Sequence, residues 1–589
     1  MKLRVLAALL CAALLGACQK SDGAANADAR ISDKSDGVDW PAYGRSAGEQ
    51  HFSPLKQINS ENVGKLGLAW SLDLGPGNSV TAPIAVDGVL YFATGYSVVH
   101  AVDAKSGKLL WTYDPKAPEA AKHKLRQGWG SRGIAWWNGK IYTGTQDGRL
   151  IAIDAKTGKP VWSTMTVEES DSRYITGAPR VFRGVAIIGH GGGDVGKTRG
   201  YATAYDAETG KQLWRFYTVP GNPADGFENA AMEAAAKTWS GEWWKLGGGG
   251  TVWNAITYDE ESDTIYLGTG NGSPWNQKAR GGPGDNLYLC SIIAVDAKTG
   301  AYKWHYQFNP GDTWDYNAAM DMQLAELKIG GQARKVVMTA PKNGFFYVID
   351  RTNGKLISAE PYVKVNWASK IDLATGRPVE NPKARYQNGE TFVMWPAPIG
   401  AHSWQPMAFS PKTELVYIPA IQKAASWTDY ELKNDQWEHG VPNMGVRAAA
   451  MVDMFPKTKD PGDGVSFLVA WDPKTQKEKW RYKTPGFLPA SVMATGGGLV
   501  FQGGLDGQFN AFSADAGTKL WSFPAQAAVM APPISYSIDG KQYVTVLTGL
   551  GTSGGLLGRL LEPFKIDYRT QKRRVLTFVL DGKATLPPL

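Results

Sequence analysis

Short runs of alternating apolar and polar residues recur along the chain, each broken by a compact polar turn. One such unit reads VHAVDAKSGKLLW, ending at Trp111, then LIAIDAKTGKPVW at Trp162 and ATAYDAETGKQLW at Trp214. It returns as IIAVDAKTGAYKW at Trp304, LVAWDPKTQKEKW at Trp480 and FNAFSADAGTKLW at Trp521, with a degraded copy, FFYVIDRTNGKLI, over 345–357. Alternation before the Asp predicts a half-buried strand. Asp-x-x-Thr-Gly predicts a tight turn in which Asp and Thr bond backbone and Gly takes a positive φ. The strand that follows ends in a Trp able to pack between neighbouring sheets. Other short apolar strands (GVLYFATG, GKIYTGTQDG, GVAIIGHG, DTIYLGTG, GGLVFQGGLDG) lie between the copies. Repeats of about 40–50 residues with several short strands each predict a β-propeller of six to eight blades, because a single blade cannot bury both faces.

Three longer stretches, 215–250, 358–400 and 430–465, carry Pro, charge and Trp. They read as insertions over one face, where function usually lies. The 69 Gly and 23 Trp fit many turns and many repeated packing sites. The net charge of +8 is spread along the chain without a basic run, so no nucleic-acid partner is expected.

The N-terminus, MKLRVLAALLCAALLGACQK, has a charged start, a short apolar run and Leu15-Gly16-Ala17-Cys18, which resembles the lipobox of bacterial lipoproteins. The expected organisation is a signal peptide over 1–17, a lipidated Cys18 with a flexible tether over 18–38, and a propeller domain over 39–589. Gln19 after the Cys implies sorting to the outer membrane, with the protein held in the periplasm. Cys11 leaves with the signal and Cys18 carries lipid. Only Cys290 then remains, so no internal disulfide can form. No C-x-x-C-H haem-attachment motif occurs.

The repeat, together with WRFYTVPGNP (214–223), GGGTVWNAITYD (248–259), GTGNGSPWN (268–276) and GDTWDYNA (311–318), resembles the methanol and ethanol dehydrogenases that depend on pyrroloquinoline quinone (PQQ). The resemblance runs from about Asp39 to the C-terminus and implies an all-β fold with eight blades and PQQ plus a metal ion in the axial funnel. It places Trp253 as the floor under the planar quinone, and Asp194 and Asn271 as metal ligands. Asp315 would be catalytic base and a further ligand. Arg132, Thr176, Gly192, Gly193 and Lys342 would contact the cofactor. Asp194 stands where most members have Glu. Asn317 stands where lanthanide-using members have a second acid, so Ca²⁺ is the implied ion, in keeping with hard oxygen ligands. The implied activity is oxidation of an alcohol to an aldehyde or ketone, with electrons passed to a separate cytochrome c.

The pattern breaks at two places. The adjacent cysteines that many members hold above PQQ are absent from RQGWGS (126–131), so Trp129 is the expected cap; and Val80 replaces a first-blade Glu. A non-enzymatic lipoprotein scaffold with PQQ-like repeats would also explain the lipobox and the blades, but not the Trp253, Asn271 and Asp315 motifs. Gly191-x-Gly193-x-x-Gly196 is followed by a strand pattern rather than a helix, which argues against nicotinamide binding. No His-Glu-x-x-His or G-x-S-x-G occurs.

Overall fold

The computed structural model describes residues 23–76, 81–126, 130–386, 389–429, 454–456, 458–550, 561, 564–567 and 570–588. The chain forms eight antiparallel blades around one axis. Blade 1 consists of Ile84–Val86, Val89–Ala93, Val99–Asp103 and Leu109–Tyr113, running from the axis outward. Blades 2 to 7 occupy residues 135–165, 180–217, 256–307, 322–361, 408–484 and 492–524. Blade 8 takes three strands from the C-terminal end, Ile534–Ile538, Lys541–Leu547 and Lys572–Leu580, and its outer strand, Leu66–Pro76, from near the start. Leu66 pairs with Leu580 and Asp73 with Arg574, so the ring is closed by joining its two ends in one sheet.

The repeat explains how blades hold each other. In blade 2, the Asp154 carboxylate accepts from the Thr157 backbone N–H and hydroxyl, both at 2.7 Å, and fixes the turn. Gly158 follows at φ 72°, and a Cβ there would lie 2.6 Å from the Trp111 ring. Trp111, from the outer strand of blade 1, lies flat on that turn and donates its indole N–H to Ala155 O at 3.0 Å. Trp162 does the same to Ala207, Trp214 to Ala297 and Trp480 to Ala514. Trp304 packs on Gly354 of the degraded copy. Trp70, on the closing strand, docks on blade 1 through Ala104 O, and Trp521 donates to Leu66 O, so the same contact spans the closure. An Asp-x-x-Thr-Gly turn at Asp372–Gly376 lies in the hairpin Ala368–Asp372/Arg377–Glu380, outside any blade, and accepts the Tyr306 hydroxyl instead of a Trp.

The tether expected over 18–38 is not what residues 23–38 form. Residues 23–31 are helical, with Ala27 and Ile31 buried. Ala24, Ala27 and Ile31 recur at helical spacing and make one apolar face, a periodicity hidden in a polar, small-residue segment. Asp28 accepts from the Trp137 indole and the Arg183 N–H, Arg30 pairs with Asp39 and Asp87, and Ser32 donates to Glu260. The chain then circles the axis. Val38 O accepts from Ser537 of blade 8, Trp40 exchanges bonds with Ala85 of blade 1, and Pro41 O accepts from Trp136 of blade 2. Ala47, Gly48, Gln50 and His51 offer carbonyls to Tyr258, Leu324, Phe409 and Ala494 of blades 4 to 7. The innermost strand of each blade is an edge with unpaired N–H groups, and this segment caps those edges. Blade 3 is met by side chains: Arg180 and Glu49 form a buried, two-pronged ion pair at 2.6 and 3.0 Å.

Two outcomes are expected. Gly158→Val should cost about 2–5 kcal/mol from positive-φ strain plus the clash with Trp111. Gly540→Val, at φ 73° with open space around it, carries the strain alone. Denaturant midpoints should therefore fall further for Gly158→Val, and equal shifts would remove the docking account. Arg180→Ala should cost about 3–5 kcal/mol by leaving Glu49 charged and buried. Adding Glu49→Leu should recover part of that loss in the same titration.

Candidate active site

In a four-stranded blade the connections alternate between two faces. Turns from strand one to two and three to four lie on one face; connections from two to three and from each blade to the next lie on the other. Every described candidate residue lies on this second face. Arg132, Thr176, Trp253 and Asp315 sit in the segments that lead into blades 2, 3, 4 and 5. Gly192, Gly193 and Asp194, Asn271 and Lys342 sit in the two-to-three connections of blades 3, 4 and 5. All nine line one cavity. The entry segments are tied to each other in sequence: Ala82 N–H donates to Arg132 O at 3.1 Å and Arg132 N–H to Thr176 O at 2.7 Å. A Cβ on Gly177 would come within 2.6 Å of Trp253 O, so that approach requires glycine. The expected cap, Trp129, and the replaced position, Val80, lie outside the described residues.

Asn317 links the parts. Its Oδ1 accepts from the Trp253 indole N–H at 3.0 Å and from the Asn271 backbone N–H at 3.1 Å. Its Nδ2 donates to the Asp315 carboxylate. Trp253, Asn271 and Asp315 are thus held by one buried amide. Asp315 has φ 61°, a left-handed conformation that Asp tolerates better than most residues. Its other carboxylate oxygen accepts from Lys342 Nζ at 2.7 Å, and both side chains are buried. Burial pushes the Asp315 carboxyl well above the usual range, the Lys342 ammonium opposes this, and the Asp194 carboxylate pushes it further up. Asp194 itself is oriented by the Asn271 amide and the Trp275 indole, both at 2.8 Å.

The residues fit a flat, anionic cofactor and a hard cation. The Arg132 guanidinium lies 4.7 Å from the Trp253 ring centroid and 5.9 Å from that of Trp404, placing a cation between two indoles. Arg132 also donates to the Thr176 hydroxyl, while its buried Nε has no partner among the described residues. Burial lowers its pKa to about 10, which leaves it charged at neutral pH. Two carboxylates, Asp194 and Asp315, share the cavity wall, with Lys342 paired to Asp315, so a divalent ion there would relieve their repulsion. The Asn271 amide spends its N–H groups on Asp194 and Gly272 O, which leaves the carbonyl oxygen to meet such an ion.

Sequence reasoning missed several lining residues: Tyr174, Thr251, Ile399, Ser403 and Trp404. None stands in the repeat. The only available signal for Trp404 was its place just ahead of the strand Ala408–Ser410, where Trp253 also stands relative to its own blade. The supporting role of Trp275 was within reach, since it belongs to the GTGNGSPWN motif.

The geometry is matched by comparison with known proteins. The PQQ family described as glucose/ethanol/alcohol dehydrogenase, beta-propeller domain, matches residues 40–370 and 474–544. Quinohemoprotein alcohol dehydrogenase ADH IIB of Pseudomonas putida is 50% identical over 559 residues, covering 94% of this chain and 79% of that one. The solved quinohemoprotein alcohol dehydrogenase ADHIIG of Pseudomonas putida HK5 superposes with a TM-score of 0.88 at 45% identity, over 94% of this chain and 81% of that one. A europium-containing methanol dehydrogenase gives 0.83 at 31% identity, over 95% and 100%.

Asn317→Ala should leave the Trp253 indole and the Asn271 N–H unpaired, at a cost of about 1–3 kcal/mol in stability. The loss should be accompanied by a change in Trp253 emission, read as the difference from a Trp253→Phe background. Unchanged emission would show that Asn317 does not hold the ring.

Proposed function

The chain belongs to the PQQ-dependent alcohol dehydrogenases, and on that premise we propose that it oxidises an alcohol to an aldehyde or ketone in the periplasm, using Ca²⁺ and delivering electrons to a cytochrome c. The observation that carries the reading is the meeting of Trp253, Asn271 and Asp315 at Asn317 inside one cavity. When bound, PQQ supplies the hydride acceptor and the cation draws electron density from its carbonyl.

The remaining steps belong to side chains. Trp253 offers a flat apolar face fixed in rotation by its N–H bond, which suits stacking of a planar ring. Arg132 and Thr176 present donors for carboxylate or carbonyl oxygens. Asp194, Asn271 and Asp315 would hold the ion. Asp315 would take the alcohol proton on a carboxylate oxygen, and Lys342, donating from 2.7 Å, favours the ionised carboxylate that can accept it. Gly192, at φ 114°, keeps its turn close to Ser172 O, where a Cβ would sit at 2.8 Å, and so sets the backbone of the Asp194 loop. Cys18 would carry the lipid that tethers the protein to a membrane, the outer membrane by the Gln19 criterion.

Asp315→Asn tests the assignment. With PQQ and Ca²⁺ supplied and dye reduction followed over an alcohol panel, turnover should fall about 10²–10⁴-fold. The absorbance of bound PQQ should remain. Turnover within about twofold of the parent would exclude Asp315 as the base, since that is far below the expected contribution.

A further inference from the structure

We infer that the propeller lies on an anionic phospholipid surface through the turn edge of blades 1 to 3, with its active-site cavity facing away from the bilayer; this rests on the lipidated Cys18 proposed above.

Two independent features lead to it. The first is the length of chain between the anchor and the folded body. Residue 23, the first described residue, is already helical, and a Cβ on Gly23 would lie 2.8 Å from Asn138 Oδ1. Asn138 bonds to Glu208 in the three-to-four turn of blade 3. The partners of this helix, Trp137, Arg183, Asp87 and Glu260, all stand at one-to-two turns, on the face opposite the cavity. Five residue steps separate Cys18 from Gly23, a reach of about 18 Å at full extension. A lipid on Cys18 therefore holds this closed face near the bilayer. The cavity mouth lies on the far side, beyond the height of a blade, about 17–20 Å for strands of five or six residues.

The second feature is the composition of the edge brought closest. A lysine immediately precedes each outer strand of blades 1 to 3, and an exposed apolar residue stands directly before the docking Trp. The triplets are Lys108-Leu109-Leu110, Lys159-Pro160-Val161 and Lys211-Gln212-Leu213. Leu110, Val161 and Leu213 are 47–49% exposed. The Trp after each must dock on the next blade, whereas about half of the residue before it is left open to solvent. In blades 6 and 7 the same positions hold Lys479 and the half-buried Leu520. Lys108, Lys156, Lys159 and Lys211 make no ion pair among the described residues. The nearby acids are already used: Asp103, Asp154 and Asp206 cap their own turns, and Glu208 pairs with Lys140. A row of unpaired lysines interleaved with apolar side chains suits a headgroup layer over its acyl boundary.

The test uses single-thiol probes, since Cys290 is buried and an acylated Cys18 has no free thiol. Val161→Cys and Leu213→Cys report the edge. Glu233→Cys, on the exposed side of the helix Ala230–Ala236 within the cavity-face insertion, reports the far side. Each is labelled with a polarity-sensitive fluorophore, and the full chain from producing cells is placed in phosphatidylethanolamine–phosphatidylglycerol vesicles. The edge probes should shift to the blue and lose emission to bilayer nitroxide quenchers, while the Glu233→Cys probe should do neither. Quenching of that probe, or aqueous emission from both edge probes, would overturn the orientation. Mass analysis of the N-terminal peptide reports acylation of Cys18 separately. If it is absent, the anchor reading fails. The same probes are then read on chains beginning at residue 19, which lack Cys18, and held by an N-terminal histidine tag on nickel-chelating lipid, where the edge alone is judged by the same two outcomes.

Discussion

The structure depends on an indole lying flat against a glycine in the next blade. Every outer strand except that of blade 5 delivers a Trp, and the three-to-four turns of blades 1 to 5 and 7 receive one. The turn can do so because its Asp and Thr or Ser satisfy the backbone locally and its glycine leaves no Cβ in the way. The contact is sequential, blade to blade, so it gains its full value only when the ring closes. Closure comes from Leu66–Pro76 joining the C-terminal strands, and Trp70 on that strand continues the series into blade 1. Blade 5 lacks a Trp on its outer strand, and a side-chain bond from Gln476 to Ser358 takes its place.

A closed ring leaves eight inner edges facing one axis, and the molecule uses the two ends of that axis differently. At one end, residues 38–53 satisfy the edges with their own carbonyls and with the Glu49–Arg180 pair. That end is filled and structural. At the other end the entry segments bond to each other and leave a cavity, in which a cation over an indole faces two carboxylates. Concentrating chemistry at the end that is not plugged follows from the topology: only connections between blades and between second and third strands reach it.

Within the cavity, buried charge is tolerated because it is distributed in pairs. Lys342 answers Asp315, the Trp275 indole and the Asn271 amide answer Asp194, and Thr176 shares Arg132. Asn317 is the least conspicuous member and the most connected. An Asp at that position could accept from Trp253 and Asn271 but could not donate to Asp315, whereas an amide does both. The same residue that argues for Ca²⁺ by resemblance therefore also has a local structural reason.

The sequence alone determined the blades. Strand alternation, turn chemistry and a Trp at fixed spacing are local signals, and by themselves they imply a closed propeller. Resemblance brought the number of blades to eight and named nine described residues that the fold gathers into one cavity. What only the tertiary structure decided involves partners far apart in the chain. The docking role of Trp70, the capping of inner edges by residues 38–53, and the place of Trp404 in the cavity wall have no local pattern, because each depends on which surface another blade presents. The helix at 23–31 was legible in principle through Ala24, Ala27 and Ile31, but a three-residue apolar face in a polar segment gains meaning only when a surface exists to receive it.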